Sequence, residues 1–92
     1  SLFLADKTTL INIMEMVSGL FLSKDIVYQN GKPAYLVDLS KAFEWLFNIK
    51  IGDCYQKHED VIKRKPGKLT GFLNGLVELI KRNMTRKDID NQ

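Results

Sequence analysis

The sequence predicts a mainly α-helical domain of four helices with a small β-hairpin. Apolar residues recur at helical spacing in four stretches, which we place at 8–22, 39–47, 54–64 and 70–85. The pair Asn30-Gly31 lies between two short β-prone runs, a pattern typical of a hairpin turn. A chain of 92 residues has room for one domain, so we predict that residues 1–92 fold as a single unit.

The first two predicted elements are a helix and the hairpin. Asp6 or Thr8 is expected to accept a backbone N–H bond at the start of the helix. In the hairpin, Pro33 allows only a short or edge strand because it has no N–H to donate. The apolar face of the helix consists of Leu10, Ile13, Met14, Val17, Leu20 and Phe21.

The second and third predicted helices are separated by about five residues, the spacing of a helix-turn-helix unit with a slightly long turn. Asp38 is expected to cap the second helix, while Gly52 ends the connector and Asp53 caps the third helix. Any two short packed helices give a similar pattern, so the spacing alone also fits a domain that binds no DNA. The inward face of the third helix is predicted to hold Cys54, Tyr55, His58, Val61 and Ile62.

The fourth predicted helix is capped by Thr70 and contains Gly71 and Gly75, four residues apart. These glycines fit either close packing inside the domain, which we favour, or close approach to a partner. Residues 86–92 are polar and charged and are expected to fray.

Composition excludes several classes of protein. A single cysteine cannot form an internal disulfide, which argues against a secreted domain stapled by bridges. The most apolar stretch, 11–22, is interrupted by polar residues and is too short to span a bilayer. Because no secretion signal is visible, we expect a cytoplasmic protein without a membrane partner. The chain begins with Ser1 instead of Met, so we expect a C-terminal fragment of a longer protein.

Charge is distributed unevenly along the chain, whose formal net charge is +3. Residues 1–62 hold six basic and eight acidic side chains, whereas residues 63–87 hold eight basic and one acidic. Basicity is therefore a property of the C-terminal third. Cations at the end of the fourth helix are also favoured by the helix dipole and need no ligand there, and these are Lys81, Arg82, Arg86 and Lys87.

No residue pattern predicts a metal site, a cofactor or an enzymatic activity. Cys54 and His58 lie four residues apart and share a helix face, but a structural zinc site needs four ligands. We therefore expect a packed cysteine and a hydrogen-bonded histidine. One Cys and one His without a flanking motif also do not predict a catalytic nucleophile and its base.

The run 43–55, FEWLFNIKIGDCY, resembles the C-terminal domain of the RteC family, tetracycline-linked regulators on conjugative transposons of Bacteroides. Arg64-Lys65 and Thr70-x-Phe72-Leu73 continue the resemblance, which covers roughly residues 7–84. It implies a DNA-binding transcriptional regulator that acts upstream of excision genes through a helix-turn-helix or winged-helix module. The stretch 26–37 is longer than the family's usual connector, and Pro66-Gly67 replaces a more polar loop. A wing in that longer stretch would lie between the first two helices, not after the third.

The predicted fold class is therefore a mainly α, four-helix, helix-turn-helix or winged-helix-like domain with a small β-hairpin, and its predicted partner is double-stranded DNA. With the third helix in the major groove, Gln56 and Lys57 are expected to reach base edges. Asp53, Glu59 and Asp60 would repel phosphates unless they are turned away, and Asp60 has no obvious reason to be. The expected phosphate contacts are Lys50, Lys63, Arg64, Lys65 and Lys68.

The competing hypothesis is a protein interaction or oligomerisation module whose first and fourth helices bind another part of the parent chain. Aromatic residues are expected mainly in the core, with exposed tyrosines on either side of the hairpin turn. The residues expected in the core are Trp45, Phe43, Phe47 and Phe72, and those expected outside are Tyr28 and Tyr35.

Overall fold

The computed structural model describes the backbone of residues 1–90 and the side chains of residues 1–84. It is mainly helical, as predicted, with four helices in this part of the chain. They are α1 (Leu10–Ser23), α2 (Leu36–Phe47), α3 (Cys54–Ile62) and α4 (Gly71–Asp90). Helices α2, α3 and α4 each pack against α1, and α2 also packs against α3, whereas among the helices of the described chain α4 contacts α1 alone.

Helix α1 is the centre of the fold because its apolar residues are buried by three neighbouring helices. Ile13, Met14 and Val17 form the middle of the core, and α2 adds Leu36 and Leu39. The N-cap is Thr9, whose side chain accepts the Asn12 N–H, so neither Asp6 nor Thr8 caps the helix as predicted. Thr9 takes this role because it is the residue in extended conformation directly before the first helical turn.

The segment 26–34, which we call the 26–34 loop, turns back on itself without forming a strand in the described chain. Its one antiparallel bridge joins Val27 to Pro33, so the predicted hairpin is reduced to a tight loop. Gly31 has a φ of +85° and donates to the Tyr28 carbonyl at 2.8 Å. Pro33 has no N–H to extend the ladder, and two exposed strands with no third strand are marginally stable.

Helix α2 begins at Leu36, three residues before the predicted start, because Leu36 and Leu39 are both anchored in the core. Tyr35 is the N-cap and makes no side-chain cap bond. Asp38 is therefore not the cap but lies in the first turn, where a carboxylate is favoured by the helix dipole. The Tyr28 hydroxyl donates to this carboxylate and accepts the Tyr35 N–H at 2.9 Å, which ties the 26–34 loop to the start of α2.

Helix α3 begins at Cys54, as predicted, and Asp53 accepts the N–H groups of Tyr55 and Gln56, each at 3.1 Å. It ends at Ile62, two residues earlier than predicted. Cys54 and Val61 are buried, but Tyr55 and Ile62 are exposed, so their predicted inward position is wrong. Helices α1 and α2 cover only the side of α3 that holds Cys54 and Val61, which leaves the two flanking positions in water.

Helix α4 starts at Gly71 and continues to Asp90, beyond the predicted end at residue 85. Residues 86–90 of the predicted frayed tail have helical backbone, in a segment without Gly or Pro, and residues 91 and 92 lie outside the described residues. The favoured packing role for Gly71 and Gly75 is wrong, because a Cβ on either would meet no atom within 4 Å. The glycine at the helix contact is Gly19 of α1, whose Cβ position lies 4.0 Å from Leu73.

Candidate nucleic-acid interface

The turn between α2 and α3 is held in one conformation by three features. Asn48 and Gly52 both have left-handed φ values, of 53° and 79°, which reverse the chain direction at each end of the turn. Ile51 between them is only 1% exposed and anchors the turn in the core. The Glu44 carboxylate of α2 accepts the Ile51 N–H at 2.7 Å. Helices α2 and α3 therefore pack against each other in a fixed arrangement, and both also pack against α1.

The solvent face of α3 presents a mixed polar surface. Gln56 is exposed, and its amide donates to the Asp60 carboxylate one turn later at 3.0 Å. Glu59 pairs with Lys63 at 3.5 Å in the same i, i+4 relation. Glu59 thus has a cationic partner just beyond the helix, whereas the neutral Gln56 amide bonds Asp60 without compensating its negative charge.

The predicted base contact Lys57 is half-buried. Its ammonium lies beside Gly52, 3.9 Å from the point that a Cβ atom would occupy there. Its charge is therefore held near the N-terminal end of α3. Lys50 is exposed in the turn just before that end. These two lysines form the first of two groups of predicted DNA contacts.

The second group follows the C-terminal end of α3. Lys63, Lys65 and Lys68 are all exposed, and of these only Lys63 forms a side-chain ion pair within the described chain. Pro66 and Gly67 lie between Lys65 and Lys68, where the Lys68 N–H donates to the Lys65 carbonyl at 2.8 Å and closes a turn. We call residues 63–70 the basic loop.

Arg64 differs from the other predicted phosphate contacts because it points into the protein. Its Nη1 lies 2.6 Å from the carboxylate of Glu15 on α1, and the side chain is largely covered. The same nitrogen donates to the Lys68 carbonyl at 3.3 Å. Sequence reasoning missed Glu15, which interrupts an apolar helix face and is 2% exposed. A single acidic residue within an apolar helix face predicts a bonded partner inside the protein, because burying an unpaired charge is costly.

Cys54 and His58 occupy the packed positions that the sequence predicted. Cys54 is buried. The Nδ1 atom of His58 lies 2.8 Å from the Ser18 hydroxyl, and the Phe21 ring meets the imidazole edge-on. Within the described residues, no three side chains of the metal-binding types come together.

Trp45 is a second aromatic residue, after Tyr55, that was predicted to lie inside and is exposed, here to 83%. At 3.6 residues per turn it lies opposite Leu36, Leu39 and Ser40, the residues of α2 that the fold buries. Tyr35 is exposed as expected, whereas Tyr28 is half-buried by its contacts with Asp38.

Helix α4 carries an apolar stripe that runs beyond its contact with α1. Leu73 and Leu76 are partly buried near the start, but Ile80 and Met84 continue the same face at 71% and 61% exposed. Lys81 and Arg82 lie on this distal half, while the side chains of Arg86 and Lys87 lie outside the described residues. None of the helices described is long and apolar enough to cross a membrane.

Comparison with known proteins identifies a family. Neither the curated proteins nor the solved structures contain a chain that matches this one. The family model described as RteC protein matches residues 5–88, which include all four helices up to the last turn of α4. Since this match covers nearly the whole chain, the chain belongs to the RteC family.

Proposed function

We propose that this chain is the DNA-binding domain of a cytoplasmic transcriptional regulator, with α2 and α3 as its helix-turn-helix unit. The observation that carries the proposal is the location of the cations relative to α3. Lys50 and Lys57 lie at its N-terminal end, and the basic loop follows its C-terminal end. Nine residues of helix separate the two groups by about 14 Å, which is close to the ~12 Å width of the major groove.

In this proposal α3 enters the major groove, Lys50 contacts a phosphate before its N-terminal end, and the basic loop contacts phosphates after its C-terminal end. Gln56 exchanges its bond to Asp60 for a base edge, and Lys57 is the second base-reading side chain. Arg64 is not a phosphate contact in this proposal, because its guanidinium already bonds the Glu15 carboxylate and the Lys68 carbonyl inside the protein. The phosphate contacts are Lys50, Lys63, Lys65 and Lys68.

Membership of the RteC family supports a regulatory role on a mobile conjugative element, with control of excision genes as its output. A winged-helix version of the proposal assigns the wing to the 26–34 loop, which carries the exposed Lys32 between α1 and α2. We assign the domain no catalytic activity and no cofactor.

Fluorescence anisotropy with a labelled duplex across a salt series tests the proposal. Four phosphate contacts give a slope of log K against log salt of about −3.6. Ala at Lys63, Lys65 or Lys68 should weaken binding to all sequences alike and reduce this slope by about 1 each, whereas Gln56→Ala should weaken binding only to the preferred sequence. Arg82→Ala, a change of an exposed cation on the distal half of α4, is the control and should leave the slope unchanged.

Two outcomes would contradict the proposal. One is the absence of binding to any duplex, including upstream DNA from the parent gene, at low salt. The other is binding that does not respond to salt, because phosphate contacts release counterions and impose a steep salt dependence.

The second candidate function is a protein interaction or oligomerisation module. The observation that favours it is the exposed apolar stripe at Ile80 and Met84, since a soluble domain rarely leaves such residues side by side in water without a partner. Its partner is a second copy or another domain of the parent protein. Light scattering of the domain tests the first case: a dimer that Ile80→Glu converts to a monomer supports it, and a monomer that binds DNA favours the leading proposal.

A further inference from the structure

Glu15 is a carboxylate in the least favourable place that α1 offers. It follows the fully buried Met14, precedes Val17 by two residues and is itself 2% exposed. A charged group in such surroundings is retained only when its partners compensate for the lost hydration.

The described partners of Glu15 lie near the start of the basic loop and just beyond its end. Arg64, one residue into the loop, donates from Nη1 at 2.6 Å. Beyond its other end, the first-turn N–H groups of α4 donate to the same carboxylate, Leu73 at 3.1 Å and Phe72 at 3.4 Å. Glu15 thus acts as the side-chain cap of α4, a role that Thr70 was predicted to fill, and it joins both ends of the loop to α1.

A second contact carries this restraint into the loop itself. The same Arg64 nitrogen that binds Glu15 donates to the carbonyl of Lys68 at 3.3 Å. Lys65 and Lys68 are exposed on either side of Pro66-Gly67, and Gly67 would otherwise allow many backbone conformations. Arg64 by itself bonds only the Lys68 carbonyl, whereas Glu15 is the described side chain that bonds both Arg64 and the first turn of α4.

We propose that Glu15 is a positioning residue of the DNA-binding surface, which holds Lys65 and Lys68 in the arrangement that contacts phosphate without touching DNA itself. This inference rests on the proposed function and names the residue that preorganises its phosphate contacts. Preorganisation matters here because each lysine that must be ordered on binding reduces the net gain from its contact.

The test is a double-mutant cycle on the salt dependence of DNA binding. Lys68→Ala should reduce the salt slope by about 1 in the otherwise unchanged domain. In the Glu15→Gln background the same change should reduce it by much less than 1, because the lysine is no longer held in place. Val17→Ala is the matched control: it perturbs the same helix and core, but Lys68→Ala should keep its full effect in that background.

Amide hydrogen exchange of residues 65–70 provides a readout without DNA. Exchange in the loop should become faster in Glu15→Gln and stay unchanged in Val17→Ala at matched global stability. If Glu15→Gln does not fold, Arg64→Lys takes its place, since a lysine keeps the charge but its shorter side chain does not bring the ammonium to the position from which Nη1 bonds both the carboxylate and the Lys68 carbonyl.

The outcomes separate the two proposals. If the unchanged domain binds DNA with the expected slope but Lys68→Ala has the same effect in every background, the role of Glu15 is refuted and the DNA-binding function stands. If the unchanged domain binds no duplex, the function fails and the inference fails with it.

Discussion

The carboxylate of Glu44 in α2 accepts the backbone N–H of Ile51 at 2.7 Å, across the turn that leads to α3. This bond satisfies a donor that the burial of Ile51 removes from water. Glu44→Ala should destabilise the domain by about 1.5–3 kcal/mol, because it removes a charged acceptor and leaves the N–H unpaired. Urea unfolding measures the loss, and Glu44→Gln, which keeps an acceptor oxygen, should cost less. Equal losses would show that the bond does not hold the turn.

The Glu15–Arg64 pair should be the most sensitive polar contact in the fold. Replacing either residue by Ala should cost about 3–5 kcal/mol, since the other charge is left without its partner in a covered site. The double variant should lose less than the two single losses added together. Lys63→Ala breaks only the exposed pair with Glu59 and should cost at most about 1 kcal/mol. Chemical denaturation of the four variants checks this order.

The packing contrast between Met14 and Trp45 gives a third prediction. Met14 is fully buried in the core, so Met14→Ala should cost about 2–5 kcal/mol. Trp45, although larger, is 83% exposed, and Trp45→Ala should change the free energy of unfolding by no more than about 0.5 kcal/mol. A large loss at Trp45 in thermal unfolding would contradict its outward position.

Two glycines should respond to alanine in opposite directions. Gly52 has a φ of +79°, so Gly52→Ala forces a side chain into the left-handed region and should cost about 1–2 kcal/mol. Gly75 lies inside α4 with open space where a Cβ would point, and Gly75→Ala should stabilise the domain by about 0.5–1 kcal/mol. Thermal unfolding of the two variants distinguishes a turn glycine from a replaceable one.

The hydrogen bond from Tyr28 to Asp38 raises the pKa of the Tyr28 phenol above its usual value of 10.0. The bond favours the neutral phenol, so its contribution to stability is complete below pH 10 and disappears as the pH rises through the higher folded pKa. Asp38→Asn should lower the pKa of Tyr28, which alkaline titration of phenolate absorbance would detect. The Tyr28→Phe variant identifies the signal, and an unchanged titration in Asp38→Asn would contradict the assignment.

Local chemistry determined where α3 starts and how many helices form. Asp53 after Gly52 is a cap that needs no tertiary contact, and the stripe from Leu10 to Phe21 makes α1 amphipathic in any context. The start of α2 was less predictable, because Asp38 is a good local cap but burying Leu36 and Leu39 outweighs it. The predicted hairpin also depended on tertiary context. Asn30-Gly31 favours the turn, but the described fold contains no third strand against which two hairpin strands could pair, and one bridge forms.

The residue pattern was sufficient to predict the family, the uneven charge, the cations near α3 and the residue types on its outer face. The roles of these side chains depended on the fold. It placed Gln56 beside Asp60, and it directed Arg64 inward to Glu15, 49 positions away in the chain. Helical periodicity reports which residues share a face, but the partner of a buried charge depends on which distant segment the fold brings to it.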